Sequence, residues 1–444
     1  MGCSKNRVDS EHLMAKLSSA GIELLPEGAP LPTVAEIEEN PMRKLDAVVI
    51  NTCGFIKDAK VESIEVVLEA VEAKRLGLVD KVYVFGCLSQ RYGEELAAEI
   101  PEVDAFYGAF DIASLLDAFD VAYDVASETS RYITTPSHYA YLKISEGCDR
   151  TCSYCSIPHI RGKHVSVPME QLVEEAESLA AKGVKELIVI AQDTTYYGLD
   201  LYGKRSLAHL LEKLCAVDGI EWIRLHYSYP AQFPQDVLDI MGTNPKICKY
   251  LDIPLQHASS KVLAAMRRSI DGPATQKIID DIRAKVPGVV LRTTMIVGHP
   301  GEDRREFEKL LAFVGKNRIE RLGAFTYSEE EGTYGAANFK DSVRESTKQK
   351  RYDELMELQS GISLDCNYAR VGTQEKVIVD SFSDGVFVAR SQYESPEVDG
   401  EILVGKESFH KKYGPDKDPL SLIGTFANVK IVGANEYDLI AEFI

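Results

Sequence analysis

The sequence predicts an α/β chain built from an N-terminal parallel-sheet domain, a partial (βα)6 barrel and a small C-terminal β-barrel. Three observations carry this. At 444 residues the chain is too long for a single core. Apolar runs of strand length alternate with amphipathic helical stretches as far as about residue 365, the pattern of parallel sheets. After Cys366 the alternation stops and only short strands follow.

The first domain is read as residues 1–125. Ala47–Ile50 and Val82–Phe85 are buried-strand runs, each followed by a turn containing Gly, with helical stretches around Asp58–Arg75 and Tyr92–Ile100. Cys53 and Cys87 directly follow the two strands, and Cys3 stands at the chain start. Loops at the carboxyl ends of parallel strands converge on one sheet edge, where ligands bind. Cys3, Cys53 and Cys87 can therefore meet at one point; three separate structural thiols is the competing reading. Only two residues precede Cys3, so the strand that should lead into it is missing, and the natural start is expected upstream. A patterned helix begins at Val8-Asp-Ser-Glu11.

Residues 134–365 repeat a strand-then-helix unit six times. Strands are expected near 139–145, 186–192, 221–227, 250–253, 290–297 and 321–327, with helices such as 169–182 and 274–285 between them. Six such units make a partial barrel with its chemistry at the carboxyl ends of the strands. A charged helix over 344–359 closes this part. The last domain, residues 366–444, shows five short strands near 376–380, 385–389, 401–404, 426–432 and 438–443, a small barrel of oligonucleotide-binding type.

The net charge of −19 and pI near 5.0 argue against general binding to phosphate backbones. The last domain alone carries thirteen acidic and eight basic residues. Its densest acidic run, Glu394, Glu397, Asp399 and Glu401, is expected to face a basic partner, a solvated loop being the plainer alternative. Nine cysteines do not make a disulfide framework, and their clustering points to metal binding in a reducing compartment. No run approaches the length of a membrane span and no leader is evident, so a cytoplasmic protein with no membrane partner is expected.

The densest signal is Cys148-Asp-Arg-Thr-Cys152-Ser-Tyr-Cys155, just after the first strand of the partial barrel. Three thiolates in eight residues can hold three irons of a cubane [4Fe–4S] cluster and leave the fourth open to a small molecule. Zinc needs four closed ligands; His159 and His164 keep that alternative open. Gly298-His-Pro-Gly-Glu302 follows a strand and opens a helix, so its backbone N–H groups can meet a ligand or simply shape a turn. Gln192-Asp193 and Gln256-His257 end strands on the same face, either lining a pocket or satisfying backbone groups. Cys215, Cys248 and Cys366 read as ordinary buried thiols.

The cysteine triplet followed by Ile157-Pro-His-Ile-Arg-Gly162 resembles the radical S-adenosylmethionine (SAM) enzymes. With Cys3, Cys53, Cys87 and the terminal barrel it resembles the methylthiotransferase family. The matching stretches are Gly2-Cys-Ser-Lys-Asn6 with Val8-Asp-Ser-Glu11, Asn51-Thr-Cys-Gly-Phe-Ile56, Tyr141-Leu-Lys-Ile-Ser-Glu-Gly147, Tyr227-Ser-Tyr-Pro230, Asp252-Ile-Pro-Leu-Gln-His257 and Thr326-Tyr-Ser-Glu-Glu-Glu-Gly-Thr333.

The resemblance implies a radical SAM core over 134–365 and a TRAM domain over 366–444. It implies that Cys148, Cys152 and Cys155 ligate a [4Fe–4S] cluster whose open iron binds SAM. Tyr154 would lie beside the adenine or pack under the loop, and Gln192, Asp193, Gln256, His257, Gly298 and Glu302 would be the SAM-pocket candidates. Cys3, Cys53 and Cys87 would hold a second [4Fe–4S] cluster that presents sulfur, and a second SAM would donate the methyl group. The Ser4-Lys5 pair, the Gly-Phe-Ile after Cys53 and the acidic barrel resemble the branch that modifies the β-carbon of an aspartate in small-subunit ribosomal protein twelve. The alternative is the tRNA adenosine branch. Implied partners are that ribosomal protein, free or on the ribosome, a reductant and a sulfur donor, with tRNA only under the alternative.

Overall fold

The structure, a computed structural model, describes residues 2–124 and 128–444; the first expected domain boundary, at residue 125, lies outside them. The N-terminal sheet is parallel in the order β1 (Leu45–Thr52), β2 (Val79–Gly86), β3 (Ala105–Phe106). At two residues, β3 is too short to leave a pattern in the sequence. The register pairs Thr52 with Gly86, so Cys53 and Cys87 leave the sheet side by side. The helix Lys57–Arg75 covers the sheet with Val67, Ala70 and Val71. The helix expected from Tyr92 begins at Cys87 and runs to Glu99, broken at Tyr92 by a φ of −133°. The sequence pattern had shown only its second half.

The first helix, Ser4–Ser19, serves two cores. Leu13 and Leu17 join Phe85 and Leu115 of the N-terminal domain. Val8, on another side, packs with Tyr139, Tyr141, Ile188 and Ile190 of the central sheet. Burying a valine this fully contributes about 1.5–3 kcal/mol, here to the joining of two domains.

The central sheet holds all six expected strands: β4 (Tyr139–Lys143), then, after the short hairpin β5 (Ser145–Glu146) and β6 (Val165–Ser166), β7 (Glu186–Ile190), β8 (Trp222–Leu225), β9 (Ile247–Asp252), β10 (Val290–Val297) and β11 (Arg321–Thr326). They lie in the order β11-β10-β9-β8-β7-β4 and every pairing is parallel. Alternation divides the faces. Leu142, Leu187, Val189, Leu225, Leu251 and Leu291 face the helices. The opposite, concave face carries Lys143, Glu186, Arg224, His226, Asp252 and Arg292, a polar interior that needs partners.

The partners come from the last domain. The helix expected to end at Gln359 continues to Tyr368, and five strands follow, β12 (Gln374–Ser383), β13 (Val386–Ser391), β14 (Ile402–Gly405), β15 (Phe426–Ala434) and β16 (Leu439–Phe443), closed as a barrel. Residues 391–399, between β13 and β14, fill the concave face. Arg224 donates to Gln392 O at 2.8 Å and to Ser391 O at 3.3 Å, Ser395 Oγ meets His226 Nε2 at 2.8 Å, and Arg390 of β13 pairs with Glu186 at 2.8 Å.

This overturns the expectation of an acidic docking face. Glu394 is buried between Arg370 and Arg321, Asp399 faces Arg292 at 3.6 Å, and Glu397 pairs with Arg7 at 2.8 Å while accepting from the hydroxyl of Tyr141 at 3.0 Å. These three neutralise arginines of this same chain; Glu401, the fourth of the run, is exposed and pairs with none among the described residues. On the outer surface, Asp384, Glu397, Glu401, Glu407, Asp416, Asp418 and Glu442 stand against Lys376, Lys406, Lys411, Lys412, Lys417 and Lys430.

Candidate active site between two cysteine trios

Cys148, Cys152 and Cys155 lie on the loop that leaves the hairpin strand β5, beyond the carboxyl end of β4, where the chemistry was expected. Gly147 sets its entry with φ +71°, where a Cβ would fall 2.0 Å from Lys163 O, so no other residue fits. Ser153 fixes the loop, its N–H donating to Met266 O at 2.9 Å and its carbonyl accepting from Gly335 N at 2.6 Å. Cys148 senses Cys152, and Cys155 senses both Cys152 and Cys148. Burial pushes the Cys148 thiol up to about 12 and raises that of Cys155 as well. Such thiols stay protonated at neutral pH unless a metal supplies compensating charge.

Two arginines attend the triplet. The backbone N–H of Arg150 donates to Cys148 Sγ at 3.4 Å, and Arg268 Nη1 donates to Cys152 Sγ at 3.6 Å. Their guanidinium groups stand 3.9 and 4.1 Å from the ring of Tyr229. Arg150 Nε also pairs with Asp193 at 2.8 Å, and Asp193 caps Thr195. Tyr154 lies among Cys152, Arg268 and Tyr229.

The second trio does converge. Asn6 Oδ1 accepts from the thiols of Cys3 at 3.8 Å and Cys87 at 3.6 Å, Cys87 senses both Cys3 and Cys53, and Cys53 senses Cys3. Gly54 makes the approach of the two loops feasible, since a Cβ there would sit 2.6 Å from Cys87 O. Burial pushes the Cys87 thiol up to about 11 against the opposing charge of Arg161. Arg161 stands on the short helix Ile157–Arg161 after the triplet, yet its Nε donates to Cys87 Sγ at 3.2 Å and its Nη2 to Asn6 Oδ1 at 2.8 Å. Arg161 thus ties the helix that follows the first trio to the second trio. The loop 326–333 closes the rim, with Glu330 paired to Lys60 at 2.8 Å.

The other expected residues divide. Gln192 Nε2 donates to Glu146 Oε1, and the side-chain Oε1 of Gln256 is buried without a partner, at a residue with φ +72°. His257 has both ring nitrogens engaged: Nδ1 accepts from Ser259 N at 2.9 Å, and Nε2 meets Glu302 at 3.1 Å, which Arg351 pairs at 2.7 Å. Their geometry holds the turn that carries Gln256. Gly298, at φ +79°, presents its backbone beside Lys348. His164 bonds Ser166 at 3.0 Å, and among the described residues no three His, Cys, Asp or Glu side chains lie closely enough to hold a single metal ion. A lone zinc draws its ligands together at about 2.3 Å for each Zn–S bond; a cluster with one iron per thiolate spreads them. The three thiols of each trio, with N–H donors aimed at their sulfurs, suit a cluster. A groove of about 620 Å³ beside Arg268, Phe233 and Ile270 is lined by none of the cysteines.

Arg268 left no trace in the sequence, because the fold alone brings it to Cys152. Lys5, Asn6, Arg150, Arg161 and Tyr229 all lay inside quoted motifs, but without assigned parts.

Three family descriptions cover the chain: "Uncharacterized protein family UPF0004" at residues 1–108, "Radical SAM superfamily" at 142–314 and "TRAM domain" at 371–444. A protein of Cytophaga hutchinsonii named ribosomal protein uS12 methylthiotransferase RimO is 50% identical over 444 residues, covering 100% of this chain and 96% of that one. The chain belongs to the uS12 methylthiotransferase RimO family. The relative of that name in Flavobacterium johnsoniae is also 50% identical, over 442 residues, covering 100% of this chain and 96% of that one. These relatives do not favour the tRNA branch. The radical SAM methyltransferase TsrM of Kitasatospora setae, solved with cobalamin and a [4Fe–4S] cluster, shares the fold at TM-score 0.54 and 13% identity, over 90% of this chain and 79% of that one. Membership makes this a radical SAM methylthiotransferase that uses SAM and a [4Fe–4S] cluster. Among the described residues, no helix is long and apolar enough to cross a membrane.

Proposed function

We propose that this enzyme adds a methylthio group to the β-carbon of an aspartate in ribosomal protein uS12, using two [4Fe–4S] clusters. The observation that supports the reading is that Arg161, which ends the helix following Cys148, Cys152 and Cys155, bonds Cys87 of the trio Cys3, Cys53 and Cys87. A C–H bond at that carbon is unactivated, so a radical generator and a sulfur carrier have to act on the same atom from close by. When bound, the first cluster and SAM supply the radical, and the second cluster presents the sulfur that a further SAM methylates.

The chain's own groups place and insulate these parts. Arg150 and Arg268 direct N–H groups at Cys148 and Cys152 and stack on Tyr229, which fixes the loop and favours a more negative cluster. Tyr154, Gln192, Asp193, Gln256 and the backbone at Gly298 are assigned to the SAM pocket, the unpartnered Gln256 Oε1 being an acceptor for a ligand N–H or hydroxyl. His257 and Glu302 are assigned to holding that pocket's turn. A reductant and a sulfur donor complete the reaction.

The test is mass spectrometry of uS12 and of tRNA from cells lacking this gene, with and without the gene restored. Loss of a methylthio mass on one uS12 aspartate, recovered on restoration, is expected. Loss from tRNA adenosine instead would overturn the reading.

A further inference from the structure

Lys5 is the anomaly of the site. The residue is only 8% exposed in the first turn of the helix Ser4–Ser19, where the helix dipole opposes a cation. Neither a hydrogen bond nor an ion pair holds its ammonium among the described residues; it stands 2.9 Å from the ring centre of Tyr227. Every other cation nearby is matched to a carboxylate or occupied: Arg7 by Glu397, Lys143 by Asp9 and Glu146, Arg150 by Asp193, Arg161 by Asp9 and Glu146. Arg268 lacks a carboxylate, but it donates to Pro254 O at 2.6 Å and to Cys152. The residue is buried while its ammonium still reaches solvent, so the charge stands without a protein anion and is open to one brought by a ligand.

The place fits a ligand. Lys5 is two residues from Cys3, so it belongs to the second trio. Tyr227 beneath it follows β8 with φ +57°, its carbonyl accepting from Thr194 N at 3.1 Å and its N–H donating to Asp252 at 3.0 Å. That puts Tyr227 at mid-sheet on the catalytic face, two residues from Tyr229 and the arginines of the first trio.

We propose that Lys5 is the residue that selects a carboxylate substrate, pairing its ammonium with the side-chain carboxylate of the target aspartate and so fixing the β-carbon between the trios. This rests on the proposed reaction with uS12. It also gives the discrimination between protein and tRNA that the barrel's balanced surface does not: an adenine has no anion to offer Lys5, and a neutral base would leave the ammonium unmatched.

The experiment uses the full, reconstituted enzyme with purified uS12 and with uS12 whose target aspartate is replaced by asparagine, the methylthio product being quantified by mass spectrometry. The unaltered enzyme is expected to prefer aspartate strongly. In Lys5→Gln the aspartate-over-asparagine ratio of kcat/KM should fall about thirtyfold or more, the loss typical of truncating one partner of a buried charge pair. Lys5→Arg, which keeps the charge, should retain the preference. Iron content and visible absorption show that both clusters are intact in each variant. If Lys5→Gln keeps the full preference, or if both variants hold full iron and neither discriminates, the assignment of Lys5 is overturned. If the unaltered enzyme makes no product from uS12, the reaction itself is wrong and this inference falls with it.

Discussion

Arg161 Nε donates to Cys87 Sγ at 3.2 Å, although Arg161 follows the first cysteine trio and Cys87 belongs to the second. The same guanidinium pairs with Asp9 at 2.8 Å and Glu146 at 3.0 Å, so one side chain ties the N-terminal domain to the catalytic loop. Burial works against its charge, but the surrounding carboxylates and Cys87 outweigh that and raise its pKa. Arg161→Met would leave Asp9 and Glu146 ion-paired with Lys143 alone among the described residues. Removing one partner of a buried charge group costs about 3–5 kcal/mol, and thermal unfolding of the iron-free chain should show a loss of that order. Arg161→Lys should recover part of it, since a point charge replaces the fork without its several donors.

The cysteine trios predict iron stoichiometry. The anaerobically reconstituted chain should hold about eight irons, four for each cluster. Replacing Cys148, Cys152 and Cys155 together by Ala should leave about four and abolish SAM cleavage. Replacing Cys53 and Cys87 by Ala should also leave about four, with 5′-deoxyadenosine still formed and no methylthio product. Retention of all the iron by either variant counts against the corresponding ligand set.

Gly54 tests the second trio without touching a sulfur. A methyl group there meets Cys87 O at 2.6 Å and Leu88 Cα at 2.8 Å, both backbone atoms that cannot swing aside. In Gly54→Ala the loops after β1 and β2 should be forced apart. The iron content should drop toward that of the Cys53/Cys87 double variant while the SAM-cleaving cluster persists, measured by iron assay and absorption.

Much of this was legible in the sequence because it is periodic or local. The six central strands and the five of the terminal barrel are apolar runs of ordinary length, and Cys148, Cys152 and Cys155 sit within one loop. Cys53 and Cys87 were also within reach, since parallel strands deliver their following loops to one edge. What escaped depends on distance through space. Nothing local distinguishes Arg268, which reaches Cys152 from a turn more than a hundred positions later. Glu394 and Asp399 looked like a solvated acidic run because their partners, Arg321, Arg370 and Arg292, are scattered over the chain. The helix break at Tyr92 hid the residues that begin at Cys87.

Glu394 gives the acid limit of the assembly. Burial acts to raise its carboxyl, but Arg370 and Arg321, with hydrogen bonds from Ser391 N at 3.1 Å and Oγ at 2.7 Å, prevail and hold it at about 2. A carboxyl depressed on folding contributes stability that is fully present above its unfolded pKa, and that contribution is lost as the pH falls through the folded one. The window therefore runs from about pH 4.5, the ordinary value, down to about 2. Because residues 391–399 fill the concave face of the central sheet, protonating Glu394 should loosen the barrel from that sheet before the barrel's own apolar core melts. Limited proteolysis between Tyr368 and Gln374 should accelerate across this window. Glu394→Gln should show the faster cleavage already at neutral pH, with a stability loss of about 3 kcal/mol and a flatter acid response. Glu394→Lys, which places a third cation beside Arg370 and Arg321, should detach the barrel outright. A barrel that stays docked in that variant, with cleavage unchanged, would mean that Glu394 does not hold the domains together.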